Sequence, residues 1–310
     1  MAIYKSNKKV VAVYKGSTTY NKIYKGSTLV FQKSGGGSTH LIEGTATETF
    51  NFIINGNSIP ITPDADGKWF YDTDEKITNL GSAFYDVKAV TSVDLSNLDL
   101  TDISTKSMFN GTSNITSIKF NNTKSMKLVD VESMFMSCSS LVSLDLSSFD
   151  TSNIRDANSL FNNCSKLVSL GGLSNWNTSN FTNASHLFTS CSALVSLDLS
   201  NWDISNLTSV TTLFEECRSL TSLDLSSFDT SNIKYAGGLF YSCRSLVSLD
   251  LSNFDMSKAT NYINMFFACP KLSTIKCKQS FKDWCITNQS ENKLPSAMRE
   301  GGSGTWEIIV

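Results

Sequence analysis

The sequence predicts an α/β repeat, a solenoid of about eight 26-residue turns closed by β-rich caps and preceded by a small all-β module. Three observations predict it. A block that reads LVSLDLSSFDTSNIRDANSLFNNC over residues 141–164 recurs nearly verbatim in segments ending at Cys217, Cys243 and Cys269. The phenylalanine three residues before each cysteine (Phe135, Phe161, Phe188, Phe214, Phe240, Phe266) keeps steps of 26, 27, 26, 26 and 26. One unit of this length cannot bury its own apolar set, so equivalent residues must stack into a continuous core. Weaker copies carry the series back through Phe109 and Phe84, and the one longer step coincides with Gly171-Gly172, where other copies read a lone Asp.

The elements follow in chain order. Residues 1–33 carry a ten-residue repeat, Ile3-Tyr4-Lys5, Val13-Tyr14-Lys15 and Ile23-Tyr24-Lys25, with Gly-Ser or Ser-Asn turns. Apolar alternation broken by such turns predicts short antiparallel strands. A module of this size is barely stable alone, so docking to a partner or self-association is expected, with Tyr4, Tyr14 and Tyr24 as anchor candidates. Residues 34–39 begin Ser-Gly-Gly-Gly-Ser and read as a flexible linker. Residues 40–80 alternate as strands around an Asn-Gly turn and predict a β-rich N-terminal cap. The Asp64, Asp66 and Gly67 cluster lacks the spacing and terminal Glu of a calcium loop and reads as a plain turn. Residues 81–276 form the solenoid. In each turn, L-x-x-L-x-L gives a short strand with one buried face. A turn with one large apolar residue follows (Phe149, Trp176, Trp202, Phe228 or Phe254), then A/V-x-x-L/M-F-x-x-C at helical or 3₁₀ spacing. Stacking at ~4.8 Å makes the solenoid roughly 40 Å long. Residues 277–310 break the period and predict a C-terminal cap ending in a strand.

The L-x-x-L-x-L pattern at a period of 26 resembles a leucine-rich repeat. The fuller pattern SLDLSNFDTSN…MF…C resembles the BspA-like surface proteins of gut bacteria and the related repeats of mycoplasma lipoproteins. That resemblance covers about residues 81–276. It implies a curved leucine-rich-repeat solenoid used for adhesion or protein binding, not catalysis. The YKGST-type repeats of residues 1–33 are similar to the starts of tail and virion proteins of phages of gut bacteria.

Composition narrows the function. Lys+Arg 26 against Asp+Glu 28 gives a net charge of -2, which disfavours a protein that neutralises many phosphates, so no nucleic-acid partner is expected. No run approaches the ~18 apolar residues of a membrane span. The first 33 residues lack the apolar run of a secretory signal; a chain starting at Met1 is then not exported by the usual route, and part of a larger particle becomes attractive. Two histidines, His40 and His186, leave little for metal binding or acid–base chemistry.

Several columns repeat with the solenoid. Ser143, Ser196, Ser222 and Ser248, with Asp145, Asp198, Asp224 and Asp250, should face outward on the strand side as an acidic, hydroxyl-rich groove for a cationic protein segment, a sugar or a cation; a solvated polar face is the competing reading. Lys119 and Lys276 hold the same position at either end and should relieve the repulsion of stacked carboxylates. Asp150, Asp203, Asp229 and Asp255, with Asn177, should bond nearby backbone N–H groups in the turn. Asn153, Asn180, Asn206 and Asn232 should form a similar ladder. Cys138, Cys164, Cys191, Cys217, Cys243 and Cys269 stack without converging, so they read as buried packing thiols, not zinc ligands. Thr112 replaces the cysteine in a weaker copy, which suits packing. Cys277 and Cys285 are left open between free thiols and one disulfide. The irregular positions Arg155-Asp156, Thr182-Asn183, Thr208-Ser209, Lys234-Tyr235 and Thr260-Asn261 are where a binding surface could be written, and His186 among them reads as solvated. No nucleophile–base pair, metal set or cofactor motif emerges.

The expectation is therefore a non-enzymatic binding protein without cofactor. Its solenoid meets a bacterial surface protein or glycan, and residues 1–33 meet a virion protein or a second copy. A phage virion fibre or receptor-binding decoration is the first reading. A bacterial cell-surface adhesin for host protein or glycan is the alternative, and a glycan hydrolase a remote one.

Overall fold

The computed structural model describes residues 3–6, 9–13, 22–25, 28–32, 41–73, 75–121 and 125–309, with side chains from residue 41 onward. In the N-terminal module β1 (Ile3–Ser6) pairs antiparallel with β2 (Lys9–Val13), and β3 (Lys22–Lys25) with β4 (Thr28–Gln32). Tyr4 lies on β1 and Tyr24 on β3. Tyr14 and the 34–39 linker fall outside the described residues.

The rest is a β-solenoid. Eight phenylalanines, Phe84 to Phe266, stack through its centre in seven steps, with ring centroids 5.2 to 6.0 Å apart and planes within 13° of parallel. A repeated aromatic that meets its own copy in the next coil gains contact on both faces, which is how a unit too small for its own core acquires one. The large apolar turn residue forms a second buried column, in which Trp176 and Trp202 stack at 5.9 Å.

The strands are short and parallel. After β9 (Val90–Asp94) and β10 (Ser117–Lys119) come β12 (Ser143–Asp145) and β14 (Ser169–Gly171), with β11 (Met126–Lys127) and β13 (Phe149–Asp150) as a minor pair beside them. Then β15 (Ser222–Asp224), β16 (Ser248–Leu251) and β17 (Thr274–Lys278) pair in register, Leu223 opposite Leu249 opposite Ile275. The coil holding Ser196 and Asp198 forms no strand, so those two residues do not extend the ladder as expected. The inserted residue lies in the coil before it, where Gly172 takes φ +85 and leads into a short 3₁₀ turn at Leu173–Asn175.

The A/V-x-x-L/M-F-x-x-C segment is not an α-helix. It is a ribbon of successive turns with two hydrogen-bond directions. Leu160, Asn162 and Cys164 donate to Ala157, Ser159 and Phe161 of their own coil at 3.1 to 3.3 Å. Ala157, Ser159, Phe161 and Asn163 donate to Asn183, Ser185, Leu187 and Thr189 of the next at 2.7 to 3.0 Å. Every second N–H must point along the axis, so every fourth residue flips to positive φ: Ser159 at 57° and Asn163 at 61°, with His186, Ser190, Thr212 and Glu216 repeating the pattern. The spacing suits a helix, yet neighbouring coils claim the N–H groups a helix would keep for itself.

The caps complete this ladder. β5 (Ile42–Ala46) lies between β9 and β8 (Lys68–Tyr71), antiparallel to both. The hairpin of β6 (Phe50–Ile54) and β7 (Asn57–Ile61) sets Phe52 on Phe84 at 4.9 Å, and Ile53 and Asn55 donate to the first coil's carbonyls of Ala83 and Asn79. At the other end α1 (Gln279–Thr287) and α2 (Gln289–Asn292) follow β17, helices that the sequence reading of the cap did not specify. The carbonyls of Glu291 and Asn292 receive the last coil's N–H groups from Asn264 and Phe266, each at 2.8 Å. β18 (Thr305–Ile309) then joins β17 in parallel, as the predicted final strand.

Candidate functional site

The strand face presents two adjacent columns. Along L-V-S-L-D-L the leucines are buried, apart from half-buried Leu197, while Ser143, Asp145, Ser222 and Asp224 are exposed and Ser248 and Asp250 half-exposed. Ser196 and Asp198 are exposed as well, on a coil without strand pairing. The second column is apolar and open to solvent: Val142, Val168, Val195 and Val247 stand 43 to 50% exposed, with Thr221 between the last two. Sequence reasoning missed this valine stripe. Its signal lay in the x of L-x-x-L, filled four times by valine where a solvated position has no need of one.

The aspartates do more than face outward. One carboxylate oxygen of Asp145, Asp198, Asp224 and Asp250 accepts the N–H of Ser147, Ser200, Ser226 and Ser252, two residues on, at 2.9 to 3.2 Å. Each aspartate thereby locks the turn that ends its strand. The hydroxyl of Ser200 and its N–H hold the Asp198 carboxyl below the usual range. Burial pushes Asp250 up, but Lys276, at 2.7 Å, and Ser252 outweigh it and leave it lowered. Asp94 follows the same logic, with burial outweighed by Ser96 and by Lys119 at 3.3 Å. Lys276 pairs with Asp250 as expected at that end of the column, whereas Lys119 pairs with Asp94 of the coil before it, and Asp198, Asp224 and Asp250 lie on successive coils between Gly171 and Lys276.

The other columns are internal. Asp150, Asp203, Asp229, Asp255 and Asn177 cap the turn N–H groups of Ser152, Ser205, Ser231, Ser257 and Ser179 at 2.8 to 3.2 Å. Asn180, Asn206 and Asn232 reach back to the Ser152, Ser179 and Ser205 carbonyls of the preceding coil. Each cysteine of the column sends its S–H to a phenylalanine carbonyl of the preceding coil, Cys138 to Phe109 through Cys269 to Phe240, at 2.9 to 3.2 Å. Thr112 makes the same bond to Phe84 at 2.6 Å. Burial pushes all six thiols up, Cys164 and Cys269 to about 12. Cys277 and Cys285 are buried free thiols, not a disulfide.

His186 departs from expectation. It is half-buried, with Nδ1 2.6 Å from Thr212 Oγ1, and burial lowers its pKa. It sits at a positive-φ ribbon position whose side chain lies against the next coil. The irregular positions around it form a second parallel ladder, one bridge per coil, through Asp156, Asn183, Ser209, Tyr235 and Asn261. Asp64 accepts the N–H groups of Asp66 and Lys68 and is an ordinary turn. Among the described residues no group of His, Cys, Asp and Glu could hold a metal ion, and no helix is long and apolar enough to cross a membrane.

A comparison with known families matches residues 78–193 and 167–284 to the family described as "Mycoplasma protein of unknown function, DUF285". The chain belongs to this family. The match covers the solenoid and the start of its C-terminal cap, and leaves out residues 1–77. Among solved structures, a leucine-rich cell surface protein from Faecalibacterium prausnitzii is similar at 14% identity over 73% of this chain and 94% of that one, with a TM-score of 0.23. No curated protein matches.

Proposed function

We propose that this is a non-enzymatic binding protein of a bacterial cell surface, with the strand face of the solenoid as its gripping surface for protein or glycan. The observation that carries this reading is the exposed valine stripe beside the serine and aspartate column. Apolar side chains left open at one repeat position on several coils, rimmed by carboxylates and hydroxyls, have the make-up of an interaction surface. The ribbon on the other side bonds each coil to the next, while the strand ladder is interrupted at the coil of Val195. Membership of a repeat family supports the reading. The virion reading rests on residues 1–33, and nothing further favours it.

Labelled full-length protein, applied to intact bacterial and host cells and to a glycan panel, is expected to be retained on one of them. Replacing Val142, Val195 and Val247 together with lysine should abolish retention while the fold, read by circular dichroism, persists. Retention unchanged by those substitutions would refute the strand face as the gripping surface.

A further inference from the structure

The charge of the chain is unevenly placed. Residues 1–33 hold seven lysines and no acidic residue, a net charge of +7. Residues 34–310 hold 19 basic residues against all 28 acidic ones, a net charge of -9. The near-neutral whole therefore hides a cationic module tethered to an acidic arm, an asymmetry that points to an electrostatic partnership.

The module has little to pack on. Its two hairpins touch each other through β2 and β3, and β2 meets the cap strand β8; hairpins this small are marginal in water without further packing. Its strands mix lysine with Ile3, Val10, Val11, Val13, Ile23, Leu29, Val30 and Phe31. The strand face offers the complement: exposed Val195 and Val247 beside Asp198, Asp224 and Asp250.

We propose that residues 1–33 of one copy dock on the strand face of a second copy, against Val195, Val247 and the Asp198–Asp224–Asp250 column. This rests on the reading of the strand face as a binding surface and names its partner. The position of the module favours a second copy over the same one. Its β2 lies beside β8, and Asp224 lies seven coil positions from β8, about 34 Å at ~4.8 Å each. The contact joins two different surfaces, head to face. Repetition leaves a free head or face for the next copy, so copies string into open chains, or two copies close by exchanging heads.

Complementation of two full-length variants tests this. The head variant carries Lys5→Glu, Lys9→Glu, Lys22→Glu and Lys25→Glu. The face variant carries Val195→Lys, Val247→Lys, Asp198→Asn, Asp224→Asn and Asp250→Asn. Asparagine keeps the turn bond, as Asn177 does in the neighbouring turn column, and Thr221 shows that the valine column accepts a polar residue. Light scattering should show the wild-type mass rising above 34.0 kDa with concentration at 50 mM salt and returning towards it at 500 mM. Each variant alone should associate at least tenfold more weakly. Mixed, they should form a complex of two copies that grows no further, because only one intact head and one intact face remain. A wild type that stays at one copy at every concentration overturns the proposal, and so does a face variant that still oligomerises. The head variant, which cannot string, is also carried through the surface-binding assay above. If it still binds there, the gripping function stands whatever the fate of the head-to-face contact.

Discussion

Replacing one cysteine of the central column tests whether its thiol works as a hydrogen-bond donor or only fills space. Cys217 is fully buried, and its Sγ lies 3.2 Å from the Phe188 carbonyl of the preceding coil. That carbonyl also receives the Cys191 N–H at 3.1 Å, so losing the thiol leaves no acceptor unpaired. Cys217→Ala removes one net hydrogen bond, worth about 1 kcal/mol. It also removes a buried sulfur and leaves a small void, worth about another 1 kcal/mol. The total of about 2 kcal/mol should lower Tm by about 4–8 °C. Cys217→Thr is the control, because Thr112 already occupies this column and donates to Phe84. It should cost less than half as much. Thermal and urea unfolding of both variants beside the wild type is the assay. Equal losses for alanine and threonine, or no loss for alanine, would refute the donor role.

Further outcomes are expected. The buried thiols titrate far above their ordinary value of 9.0, Cys164 and Cys269 at about 12; an unfolded chain releases those protons first, so unfolding free energy should hold below pH 9 and fall as pH rises from 9 towards 12. All eight cysteines should resist a thiol reagent in the native state and react fully in denaturant. Asp198→Ala should cost about 0.5–1 kcal/mol by freeing the Ser200 N–H, whereas Asp198→Asn should cost almost nothing, both read by urea midpoints. Gly172→Ala should destabilise by more than about 2 kcal/mol, since φ is +85 there and a Cβ would lie 2.5 Å from Ser147 backbone; a Tm within 2 °C of wild type would contradict this.

Much of the architecture was legible because repetition forces equivalent residues to meet. Phe135 and Phe161 had to stack once coils of equal length lay over one another, and the same arithmetic aligned the cysteines, the Asx turns and the outward aspartates. Lys276 at the end of the acidic column was also readable by position alone. Spacing could not tell the ribbon from a helix. Ala157, Leu160 and Phe161 fall on one side of either, and only the next coil's demand for N–H groups selects positive φ at Ser159 and Asn163. The strand lost around Ser196 was likewise hidden, since residues 194–199 read LVSLDL as do 141–146 and 246–251, which keep their strands. The valine stripe needed burial as well as pattern: a valine between leucines belongs to the core or to the surface according to which face the neighbouring coils cover. Local sequence determined which residues share a column, because a column is a period. The stacked structure decided which columns are covered and which face outward, because coverage depends on contacts made by other coils.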